Sequence, residues 1–164
     1  RKTFPHVNII DMDCEDNYDN ASFVAFCEML IGQDFALTFC PYESHSFWTG
    51  CLADLNSSHP GSVWWWNLQC YDGGGGNTPS EWNGYITKAI PGFNTDGFIV
   101  PGAWTNDMVS GVKSLMSSFS GESYVDGGFM WTLDSIINQY PSNPAQGMED
   151  YARAIKDGLS GSSY

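Results

Sequence analysis

Five times along this 164-residue chain, a short β-rich apolar stretch is followed by a segment whose apolar residues recur at helical spacing. That alternation limits the fold more than any other feature of the sequence. Val7 to Asp13 is apolar at alternate positions, and Ala21 to Ile31 repeats Phe23, Val24, Cys27, Leu30 and Ile31 on one helix face. Phe35 to Cys40 then reads as a strand stopped by Pro41, and Phe47 to Leu55 as a short helix. Val63 to Tyr71 is a bulky strand containing Trp64, Trp65 and Trp66. Pro79 to Ile90 is predicted helical, with Thr78 as N-cap ahead of a first-turn proline. Phe98 to Pro101 (strand), Asn106 to Phe119 (amphipathic helix), Gly128 to Leu133 (strand) and Gly147 to Leu159 (helix) complete the series. This order predicts a parallel sheet with right-handed crossovers, at about 30 to 35 residues per βα unit.

Such units build either a doubly wound sheet or a barrel. No Gly-rich phosphate loop opens the first helix, which weakens the nucleotide-binding option. The run Gly73 to Gly76 lacks GxGxxG spacing and the lysine of a P-loop, so it reads as a flexible loop.

Charge narrows the partners. Lys and Arg number 6 against 19 Asp and Glu, a formal charge of −13. Nucleic-acid binding runs on cationic contacts to phosphate, and anionic membranes also attract basic segments, so neither partner is expected. Nor does any apolar run reach the ~20 residues of a membrane span. A neutral partner such as a sugar fits better, and the seven Trp residues offer rings for stacking as well as for the core. Cys14, Cys27, Cys40, Cys51 and Cys70 are odd in number, so at least one is unpaired or pairs between chains. Cys40 and Cys51 are a candidate bridge that geometry must decide. His6, His45 and His59 lack metal-ligand spacing and read as structural or surface residues. Sequons at Asn20-Ala21-Ser22 and Asn56-Ser57-Ser58 are compatible with secretion. The chain begins at Arg1 without a signal-peptide pattern, consistent with a processed or truncated product.

The sharpest local signal is Asp11-Met12-Asp13-Cys14-Glu15. Alternate strand residues share a face, so the three acids point one way while Met12 and Cys14 point the other. Crowded carboxylates repel, which raises the pKa of one and keeps a proton available for general acid catalysis. Glu15 is nearest the C-terminal end of the strand, where parallel βα folds place their chemistry. The same residues also fit a solvated acidic turn, since Asp16, Asn17, Tyr18, Asp19 and Asn20 follow, or a hard-oxygen calcium or magnesium site.

Val7-Asn8-Ile9-Ile10-Asp11-Met12-Asp13-Cys14-Glu15 resembles the DGxDxDxE signature on the fourth barrel strand of glycoside hydrolase family 18, the chitinase and endo-β-N-acetylglucosaminidase-like enzymes. Asn8 and Ile9 replace the first acid and its glycine. Leu37-Thr38-Phe39-Cys40-Pro41 is similar to the fifth strand, Asn67-Leu68-Gln69-Cys70-Tyr71-Asp72 to the sixth and Ile99-Val100-Pro101 to the seventh. Gly128-Phe129-Met130-Trp131-Thr132-Leu133-Asp134 is similar to the eighth. The resemblance implies an α/β fold, a partial (β/α) TIM-type barrel of about five βα units equivalent to strands four to eight. It is expected to form one domain over residues 1–164, with a frayed tail at 160–164.

It also implies a mechanism. Family 18 enzymes retain anomeric configuration through the substrate's own N-acetyl group, outside the ordinary two-carboxylate scheme. By resemblance, Glu15 protonates the glycosidic oxygen, Asp13 orients the acetamide and stabilises the oxazolinium ion, and Asp11 shares a proton with Asp13. Tyr71 hydrogen-bonds the acetamide oxygen, Trp131 lies beneath the scissile sugar, and Gln69 and Asp72 complete the substrate contacts. No cofactor and no metal is implied. The expected activity is hydrolysis of β-1,4-linked N-acetylglucosamine glycans such as chitin, in a secreted protein. A chitinase-like lectin or defence protein that binds without cutting is the alternative. Five strands leave two sheet edges open, so a homodimer or a complementing fragment carrying strands one to three is expected to cover them.

Overall fold

The computed structural model describes residues 5–161. The elements run β1 (Ile9–Met12), α1 (Asn20–Ile31), β2 (Ala36–Phe39), α2 (His45–Ser58), β3 (Val63–Gln69), α3 (Pro79–Ala89), β4 (Ile99–Trp104), α4 (Met108–Ser117), β5 (Phe129–Trp131), α5 (Leu133–Gln139) and α6 (Pro144–Leu159). The five strands pair in sequence order, all parallel. With the helices on the outer face, they make a curled half-barrel, an α/β partial barrel of TIM type.

Side-chain caps start four of the helices, and for α3 the cap is the predicted Thr78. The Asp19 carboxylate caps α1 by accepting from the Ser22 amide at 2.9 Å. Thr78 accepts from the Glu81 amide at 3.3 Å, with Pro79 in the first turn of α3. Thr132 and Asn143 do the same for α5 and α6.

Strand parity sorts the side chains. Leu37 and Phe39 of β2, Trp66 and Leu68 of β3 and Ile99 and Ala103 of β4 turn outward into a core shared with Trp48, Leu52 and Leu55 of α2 and Ile86 of α3. Each fully buried leucine here contributes roughly 1.5–3 kcal/mol. The opposite parity gives the half-barrel its interior: Asp11 and Asp13, then Thr38, then Trp65, Asn67 and Gln69, then Gly102 and Trp104, then Phe129 and Trp131. The register shifts between β2 and β3, where Leu37 faces Val63 and Thr38 faces Trp65. Trp64 is the extra residue of that bulge, and it stands 51% exposed.

Four expectations need correction. The β4 strand runs on from Pro101 to Trp104, because Gly102 and Ala103 extend the ladder toward β5. The β5 strand ends at Trp131, and Leu133 already belongs to α5, a helix with no counterpart in the sequence reading. Its seven residues bury only Ile136, too little to produce an apolar period. The Gly73–Gly76 run is anchored: Asp72–Gly74 forms a 3₁₀ turn, and the Asn77 amide donates to the backbone carbonyls of Tyr42 (2.7 Å) and Gln69 (2.9 Å). A Cβ on Gly74 would lie 2.2 Å from the Gln69 carbonyl oxygen, so glycine serves close approach here. Finally, all five cysteines are free thiols. Cys40 faces the half-barrel interior and Cys51 the helical layer, so the sheet separates that candidate pair. Burial pushes the Cys27, Cys51 and Cys70 thiols up to about 12, which makes them inert core groups.

No helix among the described residues is long and apolar enough to cross a membrane. Ser160 and Gly161 form a turn after α6, and the rest of the expected tail, residues 162–164, lies outside the described residues.

Candidate active site

The C-terminal ends of the five strands converge on a cavity of about 280 Å³. Its lining is Asp13 and Glu15 beyond β1, Tyr42 beyond β2, Gln69, Tyr71, Asp72 and Gly73 at the end of β3, Trp104 of β4 and Trp131 of β5. Every strand therefore contributes, as expected of a parallel βα fold.

Alternation along β1 and its extension is as the spacing predicts. Met12 is buried and Cys14 half-buried against the core, while Asp11, Asp13 and Glu15 face the other way. The acids then divide by depth. Asp11 sits below the cavity, where the buried Thr38 hydroxyl donates to its Oδ1 at 2.5 Å and the Asn67 amide at 3.0 Å. Trp65 donates its indole N–H to Asn67 Oδ1 at 2.9 Å, extending the network down the interior. Asp11 thus anchors the strand and is not part of the cavity wall.

Asp13 and Glu15 line the cavity together. The buried Gln69 amide donates to both, at 3.4 Å and 3.5 Å, the outer limit of hydrogen bonding, and to the Cys40 carbonyl at 3.2 Å. Although Asp13 keeps solvent contact, burial against the cavity wall raises its pKa, and the charges of Glu15 and then Asp11 raise it further. The sequence predicts a raised acid in this cluster, and the shift falls on Asp13.

Tyr71 is buried against two indoles. Its ring lies nearly parallel to Trp104 (6.4 Å, 15°) and to Trp131 (6.3 Å, 12°), with Phe129 edge-on at 6.1 Å. Burial, helped by the charges of Cys40, Asp13 and Glu15, pushes the Tyr71 hydroxyl well above its ordinary range. The group therefore keeps its proton and serves as a donor. Trp131 is 52% exposed, with a ring face free to carry an apolar surface. The Trp131–Thr132 peptide is cis.

Of the seven residues singled out from the sequence, six share one cavity: Asp13, Glu15, Gln69, Tyr71, Asp72 and Trp131. Asp11 alone lies beneath it. The sequence reading missed Tyr42, Gly73 and Trp104. Trp104 was findable, since extending the fourth strand by alternation from Val100 brings it to the chemical end of the sheet. Tyr42 follows the strand-stopping Pro41, and nothing in the sequence marks it. No group of three or more His, Cys, Asp or Glu among the described residues is arranged to hold a metal ion.

The sequence matches no known family model, and a search of curated proteins finds no match. The fold does have a counterpart among solved structures, the catalytic domain of a family GH18 chitinase from the fern Peteris ryukyuensis. The two superpose with a TM-score of 0.55 at 18% identity, over 92% of this chain and 58% of that one. The likeness is one of fold, and this chain spans rather more than half of that chain's length.

Proposed function

We propose that this chain carries the active-site half of a glycosidase that cuts β-1,4-linked N-acetylglucosamine glycans with retention of configuration. The observation that supports this most is the shared cavity of Asp13, Glu15, Tyr71 and Trp131 at the strand ends. Its lining pairs acids with aromatic faces and holds no basic side chain to draw an anion, which suits a neutral sugar.

The chemistry follows from the positions. Glu15 gives its proton to the glycosidic oxygen as the bond to the anomeric carbon breaks. The substrate's acetamide carbonyl oxygen attacks that carbon, and being held in the same molecule it acts at high effective concentration. The Tyr71 hydroxyl, kept protonated, donates to the acetamide oxygen. Asp13 accepts from the acetamide N–H and balances the oxazolinium charge where it forms. Water then opens the ring, with Glu15 taking its proton back as base. Gln69 holds the two carboxyls on one side, Trp131 supports the sugar face, and Asp72 and Tyr42 border the entrance.

Incubation with a chitin oligosaccharide should yield shorter products, and Glu15→Gln should lower the rate at least 10²-fold. Binding without products in the unsubstituted chain would move the assignment to a glycan-binding lectin. We further propose secretion, and a second copy of the chain as the cover for the open outer edges of β1 and β5, since identical chains most often close as C₂ pairs. Sedimentation at the mass of a single chain, 18.1 kDa, would rule that pairing out.

A further inference from the structure

At the opposite end of the sheet from the catalytic cavity lies a groove of about 500 Å³, lined by Asn56, Val63, Trp64, Phe93, Asn94, Asp96 and their neighbours. Two features of this groove are unused by the proposed reaction. Trp64 is lifted out of the β3 ladder by the bulge and is half exposed there, its only ring neighbour among the described residues being Trp65 at 6.1 Å. Asn56 opens the sequon Asn56-Ser57-Ser58 in the last turn of α2. Its half-buried side chain makes no hydrogen bond among the described residues and borders the groove.

We propose that Asn56 is an N-glycosylation site whose first sugar lies in this groove against Trp64. The co-reactant is a polyprenyl-pyrophosphate-linked oligosaccharide. The Asn56 Nδ2 forms the bond to C1 of the donor sugar, the C1–phosphate oxygen bond breaks, and the polyprenyl pyrophosphate leaves with that electron pair. One amide proton is lost and nothing is oxidised or reduced. An exposed indole then covers an apolar pyranose face, and the Asn94 and Asp96 side chains stand within the groove for the sugar hydroxyls. This gives a physical use to a large apolar ring that is otherwise left in water.

The other sequon contrasts with this one. Asn20 packs its amide against Gly50 of α2, so closely that a Cβ on Gly50 would sit 2.6 Å from Asn20 Nδ2. A glycan at Asn20 would wedge α1 from α2, so the folded chain carries none there.

The test translates the full chain behind a cleavable secretion leader in the presence of eukaryotic microsomes. The protease-protected product should gain the mass of one glycan, removable by an amidase that cuts the Asn–sugar bond. The gain should persist in Asn20→Gln and vanish in Asn56→Gln. Protected chain without a glycan, or with one only at Asn20, overturns the site. For the groove, the glycan is trimmed to its first sugar and thermal melts are compared with the fully deglycosylated protein. The sugar should raise the melting temperature by roughly 2–4 °C, and Trp64→Ala should abolish that difference while leaving the glycan attached. An equal rise in both backgrounds means that the sugar does not rest on Trp64.

Discussion

Tyr71 and Trp131 stand with ring planes 12° apart and centroids 6.3 Å apart, although a whole strand, β4, separates the strands they come from. Trp104 of that intervening strand also lies nearly parallel to Tyr71, at 6.4 Å and 15°. The Tyr71 ring is therefore held by its neighbours and does not depend on its hydroxyl for position. Tyr71→Phe should keep the melting temperature within a few degrees while lowering turnover of a chitin oligosaccharide by about 10²-fold. A large drop in both would assign Tyr71 to packing and remove it from the proposed chemistry.

Trp131 answers a different question. Being half exposed, it stands outside the main core, so Trp131→Ala should cost only about 1 kcal/mol in urea unfolding, through the lost contact with Tyr71. Loss of the stacking face should weaken oligosaccharide binding roughly tenfold. Calorimetric titration of the Glu15→Gln background gives the affinity without turnover, and an unchanged affinity would dismiss Trp131 as a platform.

Asp13 carries a pH signature. Its folded-state pKa lies above the ordinary aspartate value of 3.8 because of burial, then Glu15, then Asp11. Below that ordinary value, folded and unfolded chains both hold the proton and the group costs nothing. As pH rises, the unfolded chain releases its proton first, so this contribution to stability is lost through the folded-state pKa. Asp13→Asn should thus match the parent in acid and become the more stable of the two toward neutral pH, as read by thermal melts from about pH 3 to about pH 7. A constant difference across that range would place the charge strain elsewhere.

Gly102 makes room for the aromatic wall. A Cβ there would lie 2.2 Å from the tip of the Phe129 ring, which itself packs edge-on to Tyr71. Gly102→Ala should cost about 1–3 kcal/mol by overpacking, and the displaced ring should lower turnover as well. Denaturant unfolding checks the first effect, and full stability in this variant would mean that the wall can yield.

How much of the site could be read in advance is clearest along β1. The alternation Asp11-Met12-Asp13-Cys14-Glu15 dictates that three acids share a face, because a strand has a period of two. It does not dictate their depth. Asp11 falls beneath the cavity only because Thr38 and Asn67, from the neighbouring strands, reach its carboxylate.

The residue order alone determined the parallel βα rhythm, the cap Thr78, and the faces on which the acids and aromatics lie, since these follow from local period and backbone chemistry. Tertiary structure alone decided that Tyr42 and Trp104 join the cavity, that a 3₁₀ turn at Asp72–Gly74 is held by Asn77, and that Cys40 and Cys51 lie on opposite sides of the sheet. Those outcomes depend on strand register and curl, which bring together residues far apart in the chain, and no local spacing encodes them.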